Sequence, residues 1–284
     1  MSETPPRPPA ARFPIGLERV QAQAHAQSGR PLNTGQEVLR PQRHLQQASQ
    51  ASQHAARQVG PAGLGMDSAA VRRRMVERLR ADGVRNEAVL NAFAQVERHR
   101  FVDTALAGQA YEDTSLPIGL SQTISKPSVV AHMLALLCEG AAAREQGHLG
   151  RVLEIGTGCG YQAALLALLG RSVVSVERLL ALHEKARGHL EVFRQGLDLR
   201  LVHGDGRQGH APRAPYQSII AAAGGDSLPP AWLEQLAVGG RMVAPMWDAR
   251  QGVQLLMVVD RTATGLQRQA HDAVHFVPLK FGTE

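Results

Sequence analysis

The stretch Arg151–Gly170, RVLEIGTGCGYQAALLALLG, constrains this chain more than any other part of it. A short apolar run, Val152-Leu153-Glu154-Ile155, reads as a buried strand; glycines follow at 156, 158 and 160, and an apolar-periodic helix begins near Tyr161. Strand, glycine turn and helix in that order form the first unit of a parallel sheet covered by helices. Glycines in such a turn let the backbone bend sharply and approach a ligand more closely than side chains would allow, at the carboxyl edge where such sheets bind their ligands.

The spacing separates two cofactor classes. The dinucleotide fingerprint G-x-G-x-x-G needs its last glycine where this chain has Tyr161, so a pyrophosphate fits poorly. Glu154, two residues before the first glycine, adds a carboxylate that would repel phosphate and attract the amino group of the methionine part of S-adenosylmethionine (SAM). Downstream, Ser172–Glu177 reads as a second strand ending in an acid, 21 residues after Gly156. Glu177 in that place accepts hydrogen bonds from ribose hydroxyls, which both cofactor classes carry. A tight connection with no ligand is the plain alternative for the glycines.

The chain has 284 residues and 44% hydrophobic content, enough to bury a core. No run approaches the ~18 apolar residues that cross a bilayer, and MSETPPRPPA lacks the basic start and apolar stretch of a secretory signal. A soluble cytoplasmic protein is expected. The net charge of +6 divides unevenly: residues 1–65 hold seven Arg, no Lys and three Glu, and the rest carries 24 basic against 22 acidic side chains. A body so balanced argues against a nucleic-acid surface. Cys138 and Cys159 lack metal or redox spacing and read as small packing residues. The 12 His show no ligand pattern with a supporting acid, so no metal site is expected.

Residues 1–65, rich in Pro, Gln, Ala and Arg, read as a mostly disordered extension, with a short helix possible at 36–57. The folded domain is expected over 66–284, its first part, 66–140, helical and loop-bearing and the rest, 150–284, a sheet. A helix capped by Asp67 or Ser68 runs to about Arg80, and a second begins at Asn86. Then comes a polar loop, Tyr111 to Pro127, where Pro117, Gly119 and Pro127 argue against regular structure. It carries Gln122, Thr123, Ile124 and Ser125, and long polar loops on rigid scaffolds often hold binding groups. Ser125 is equally placed to cap the helix from Pro127 to Leu137. Leu199–His203 is a third strand, entering Gly204-Asp205-Gly206, where Asp205 either faces an exocyclic amine or makes an Asp-Gly turn. Ser218–Ala223 and Arg241–Pro245 are the next strands; Gln254–Asp260 and Val274–Leu279 close the pattern, the last expected to pack centrally because most of its positions are apolar. The fold class is α/β: a doubly wound, mostly parallel seven-stranded sheet with an antiparallel edge and an N-terminal helical region.

Taken together these stretches resemble the protein-L-isoaspartate O-methyltransferase family. The resemblance runs from about residue 67 to 280. It rests on Val96–Val102, Leu116–Gly119 with Gln122–Ser125, Val152–Ala163, Ser175–Arg178, Gly204–Gly206, Gly239–Arg241 and Phe276–Leu279. It implies a seven-stranded SAM-methyltransferase sheet, SAM as methyl donor, and isoaspartyl-containing proteins and peptides as partners, methylated on the free carboxylate to initiate repair. It further implies that Ser125 is the active-site residue and that Gln122, Thr123 and Ile124 form the substrate loop. Gly156, Gly158 and Gly160 would pass beneath SAM, Glu177 would hold the ribose, and Asp205-Gly206 would face adenine. A monomer without nucleic-acid or membrane partners is expected. The chain departs from the family pattern at Gln217, where an acid is usual, and near Ala222, where a Thr is. Both departures bear on the substrate-side wall.

The chemistry suits so sparse a set of groups. A carboxylate, with an ordinary pKa near ~4, is already an anion at neutral pH and needs no general base. Positioning and exclusion of water then supply most of the acceleration. SAM methylation of another acceptor, a non-catalytic SAM binder and, least favoured because of Tyr161, an NAD-dependent dehydrogenase are the alternatives.

Overall fold

A computed structural model describes residues 69–194 and 196–284. The chain divides at Gly63–Leu64, and the described residues belong to the second unit. The expected extension over 1–65, its short helix and the caps Asp67 and Ser68 lie outside the described residues.

Two helices open the fold, α1 (Ala69–Ala81) and α2 (Glu87–Gln95). Asn86 caps α2, its side chain accepting from the Val89 amide at 3.1 Å, and the helix buries Val89, Leu90 and Phe93. Two 3-10 turns, Arg98–Phe101 and Thr104–Gln109, lead into the polar loop. That loop is more regular than its prolines suggest. Strands β1 (Leu116–Gly119) and β2 (Gln122–Ile124) pair antiparallel, with Pro117 opposite Thr123, as a two-stranded hairpin made only of edge strands allows. The hairpin turns at Leu120 and Ser121, both at positive φ (51° and 57°). Helices α3 (Pro127–Cys138) and α4 (Ala141–Gln146) follow.

The main sheet has the order β5-β4-β3-β6-β7-β8-β9. Strands β3 (Arg151–Ile155), β4 (Ser172–Glu177), β5 (Leu199–His203), β6 (Tyr216–Ala221) and β7 (Leu236–Asp248) run parallel. Strands β8 (Val253–Thr262) and β9 (Gly265–Val274) add an antiparallel edge. Helices α5 (Tyr161–Leu169), α6 (Leu180–His189) and α7 (Pro230–Gln235) connect the parallel strands. The central strand β3 is covered on both faces: Val152 and Leu153 are fully buried in different clusters of the core. Each such side chain contributes about 1.5–3 kcal/mol of transfer free energy. Helix α5 is apolar around its whole circumference and buried almost throughout, as a helix between sheet and neighbouring helices must be.

The end of the chain corrects one expectation. Val274 to Leu279 is not a central strand. The last strand, β9, ends at Val274 on the sheet's edge, and residues beyond it cross the carboxyl ends of the parallel strands. There Gly224 donates to the Val277 carbonyl at 2.9 Å and Leu279 donates back to Gly224 at 2.7 Å. Their apolar character suits this cover as well as it would a strand interior.

Candidate active site

The carboxyl ends of β3, β4 and β6 open into a cavity of about 260 Å³, at the small end of sizes for small-molecule sites. Its floor is the glycine turn, where Gly156, Gly158 and Gly160 stand at φ +89°, +56° and +94°. A side chain at Gly158 would come 3.2 Å from Ile118 Cδ1, and one at Gly206 would meet Ile155 Cγ2 at 2.6 Å. The Trp232 indole N–H holds the Gly206 carbonyl at 2.8 Å. Gln122, Thr123, Ile124, Ser125, Gly156, Gly158, Glu177 and Gly206 all line the cavity, together with Ala222.

Three expected contacts lie behind that surface. Glu154 is fully buried and takes a hydrogen bond from Ser175, which also meets Thr157 at 2.6 Å. Burial pushes the Glu154 carboxyl up to about 8, against the opposing Ser175 bond. It braces the turn from below. Gly160 faces Leu190, not the cavity; a Cβ there would stand 2.8 Å from Leu190 Cδ1. Asp205 lies outside the cavity lining, accepting from Arg207 N at 2.9 Å and Gly282 N at 2.9 Å.

Glu177 closes the far side of the floor. One of its oxygens accepts from Gly158 N at 2.9 Å and the other from Leu179 N at 3.0 Å. A carboxylate offers about four lone-pair sites, so two bonds leave acceptor capacity for a ligand. The segment 277–280 forms the roof. It is tied down where Gly282 reaches Asp205, where Glu284 N meets the Arg178 carbonyl at 2.9 Å, and where Leu180 N meets Glu284 O at 2.7 Å.

Ser125 does not cap α3. Lys126 occupies the cap position without a side-chain bond. Asp113 does that work from 15 residues upstream, accepting from Ser128 N at 2.8 Å and Ser128 Oγ at 2.7 Å. Among the described residues the Ser125 hydroxyl makes no hydrogen bond, and Ser125 lines the cavity beside the glycine turn. Gln217, at the start of β6, accepts from Arg151 N at 2.7 Å and packs on Gly150; it lies at the opposite end of the strand and leaves the substrate wall untouched. Residue-pattern reasoning missed Gln162, a buried amide that lines the cavity and neighbours the Glu154 carboxyl, and Arg98, which binds the Ser125 carbonyl. Gln162 follows the glycine turn on a polar position of an otherwise apolar helix, which is a signal that the sequence carries.

The residues fit a nucleoside ligand bearing polar hydroxyls and an apolar stem. The glycine floor, an acid at the end of the second strand and a buried amide are the groups such a ligand needs. Fold and cavity thus define a SAM-dependent methyltransferase. A protein-L-isoaspartate O-methyltransferase of known structure superposes with a TM-score of 0.64 at 26% identity, over 74% of this chain and 67% of its own. A Plasmodium falciparum protein solved with S-adenosyl-L-homocysteine (SAH) shares the fold at a TM-score of 0.60 and 21% identity, over 73% of this chain and 97% of its own. The chain belongs to the Protein-L-isoaspartate(D-aspartate) O-methyltransferase (PCMT) family, whose profile matches residues 70–284. Relatives named protein-L-isoaspartate O-methyltransferase include one from Methylibium petroleiphilum, 57% identical over 97% of this chain and 98% of its own. Another, from Dechloromonas aromatica, is 51% identical over 78% of this chain and 99% of its own.

Among the described residues no group of His, Cys, Asp and Glu could hold a metal ion, and no helix is long and apolar enough to cross a membrane. Burial pushes both cysteine thiols up to about 11, so they are poor nucleophiles at neutral pH.

Proposed function

We propose that this chain methylates the free carboxylate of isoaspartyl residues in proteins and peptides, at the cavity between the glycine turn and the Ser125 hairpin, and so initiates their repair. SAM, when bound, supplies an electrophilic methyl group on a sulfonium sulfur. The acceptor arrives as an anion, so the chain needs no base. The Ser125 hydroxyl donates a hydrogen bond that aims the acceptor, and Gln122, Thr123 and Ile124 hold the peptide around it. Glu177 accepts from ribose hydroxyls with its remaining lone pairs, and Gln162 takes a polar end of the cofactor. Asp205 acts indirectly, fixing Gly206 and the roof.

One observation supports this reading above the others: Asp113 takes over the helix cap and leaves free the hydroxyl of Ser125, which lines the cavity. Residues 66–284 form the working unit in this proposal, a reading supported by a Dechloromonas relative that aligns over nearly its whole length to 78% of this chain. The unit acts in the cytoplasm as a monomer, with no nucleic-acid or membrane partner. The exposed edge strand β9 carries Arg268 and Asp272, charges that discourage edge pairing. Transfer of labelled methyl from SAM to a matched pair of peptides, one isoaspartyl and one aspartyl, tests the reaction. Base-labile label on the isoaspartyl peptide alone is expected; equal labelling, or none, refutes it.

A further inference from the structure

A buried cation stands behind Ser125, with Asp113 near it but no carboxylate in ion-pair contact among the described residues. Arg98, in the first 3-10 turn, is completely buried. Its Nε donates to the Ala110 carbonyl at 2.7 Å, and its Nη2 to the carbonyls of Ser125 at 2.8 Å and Thr114 at 3.4 Å. The guanidinium carbon lies 4.8 Å from the centre of the Tyr161 ring, which lines the cavity, and Nη1 has no hydrogen-bond partner. Among the described residues no carboxylate is in ion-pair distance of Arg98. Asp113, on the same loop, is committed to Ser128. Burial works against the charge, yet a guanidinium keeps its proton in any protein setting. An uncompensated buried charge is costly. These three bonds use only Nε and Nη2, so the guanidinium keeps donor capacity and a positive charge beyond what the carbonyls take up.

We propose that Arg98 is a positioning residue for an anionic acceptor: its positive charge, fixed behind Ser125 and Tyr161, draws the acceptor carboxylate into the subsite and sets its preference for negatively charged groups. This rests on the carboxyl-methylation reading above. In that reaction a carboxylate oxygen forms the new C–O bond, the C–S bond breaks with its electron pair left on sulfur, and no proton moves. The acceptor is an anion before the step and a neutral ester after it, so its negative charge is already dispersing at the transition state. A fixed cation therefore stabilises the bound acceptor at least as well as the transition state. Its contribution belongs in KM and not in kcat.

The test compares wild type, Arg98→Lys and Arg98→Gln in steady-state methylation of an isoaspartyl peptide, with SAH affinity by calorimetry as the check on the cofactor end. Arg98→Gln is expected to raise the peptide KM about tenfold with kcat within about twofold and SAH affinity unchanged, and Arg98→Lys to restore most of the KM. A wild-type KM in Arg98→Gln, or a Lys variant no better than Gln, overturns the proposal, because the acceptor then does not respond to the positive charge at this position. If wild type itself methylates no isoaspartyl peptide, the underlying reading fails, and the inference with it. Should Arg98→Gln not fold, the wild-type SAH complex is titrated with the isoaspartyl peptide and with its isoasparaginyl amide. The acid is expected to bind about tenfold more tightly, and equal affinities overturn the proposal.

Discussion

The floor and the wall of the cavity are built in opposite ways. The floor is local: strand β3, the glycine turn and helix α5 are consecutive, and Gly158 reaches only 19 residues ahead for Glu177. The wall is assembled from a distance. Arg98 holds the Ser125 carbonyl from 27 residues away, and Lys185 donates to the Ile118 carbonyl at 3.2 Å across 67. A floor that receives a shared nucleoside can be written in a short motif. A wall that selects one acceptor needs contacts that converge from several elements.

The largest effect separating the two regions is expected at Ser125. Ser125→Ala should lower kcat about 10²-fold, as loss of an orienting hydrogen bond does, while calorimetry finds SAH affinity within about twofold. Full turnover with intact SAH binding would remove Ser125 from the mechanism. On the floor, Gly160→Ala forces a side chain into φ +94° and within 2.8 Å of Leu190, and should cost about 1–3 kcal/mol in urea unfolding. Gly188→Ala, in helix α6 with nothing within 4 Å, should instead stabilise by about 0.5–1 kcal/mol. The opposite signs sharpen the claim that the floor is packed from beneath.

Glu154 gives the floor a pH signature. Its carboxyl holds its proton up to about 8 in the folded chain, against an ordinary value of 4.5. Between those values the unfolded chain is ionised while the folded chain is not. This group's contribution to stability therefore falls as pH rises through that window and levels off above it. Glu154→Gln removes the titration, so its unfolding free energy should decline less than that of wild type from about pH 5 to about pH 9, by up to about 1.4 kcal/mol per pH unit, and its Tm should fall correspondingly less. Parallel Tm–pH curves would show that Glu154 does not titrate in this way. The smallest effect is expected on the wall: Asp113→Ala should cost about 1 kcal/mol through the lost cap and reduce kcat/KM with SAH affinity unchanged. A change in SAH affinity instead would mean that wall and floor are coupled.

The strands that alternate with helices were legible in the sequence, β4 and β5 to the residue, because their apolar runs are short and bounded by turn residues. The hairpin β1–β2 was hidden by its prolines, one of which simply faces solvent. Val274–Leu279 misled for a related reason: an apolar run records that it will be covered, not whether a sheet or a cavity roof covers it.

The sequence by itself determined the layered α/β architecture, the glycine turn and the acid at the end of β4, since each depends on backbone conformation and burial within a few residues. Tertiary structure alone decided which polar groups meet the ligand. It sent the Glu154 carboxyl beneath the floor and Asp205 to the roof, and it released the Ser125 hydroxyl by supplying Asp113. Hydrogen bonds form with whichever partner the fold brings into range, and for these residues that partner lies outside their own segment.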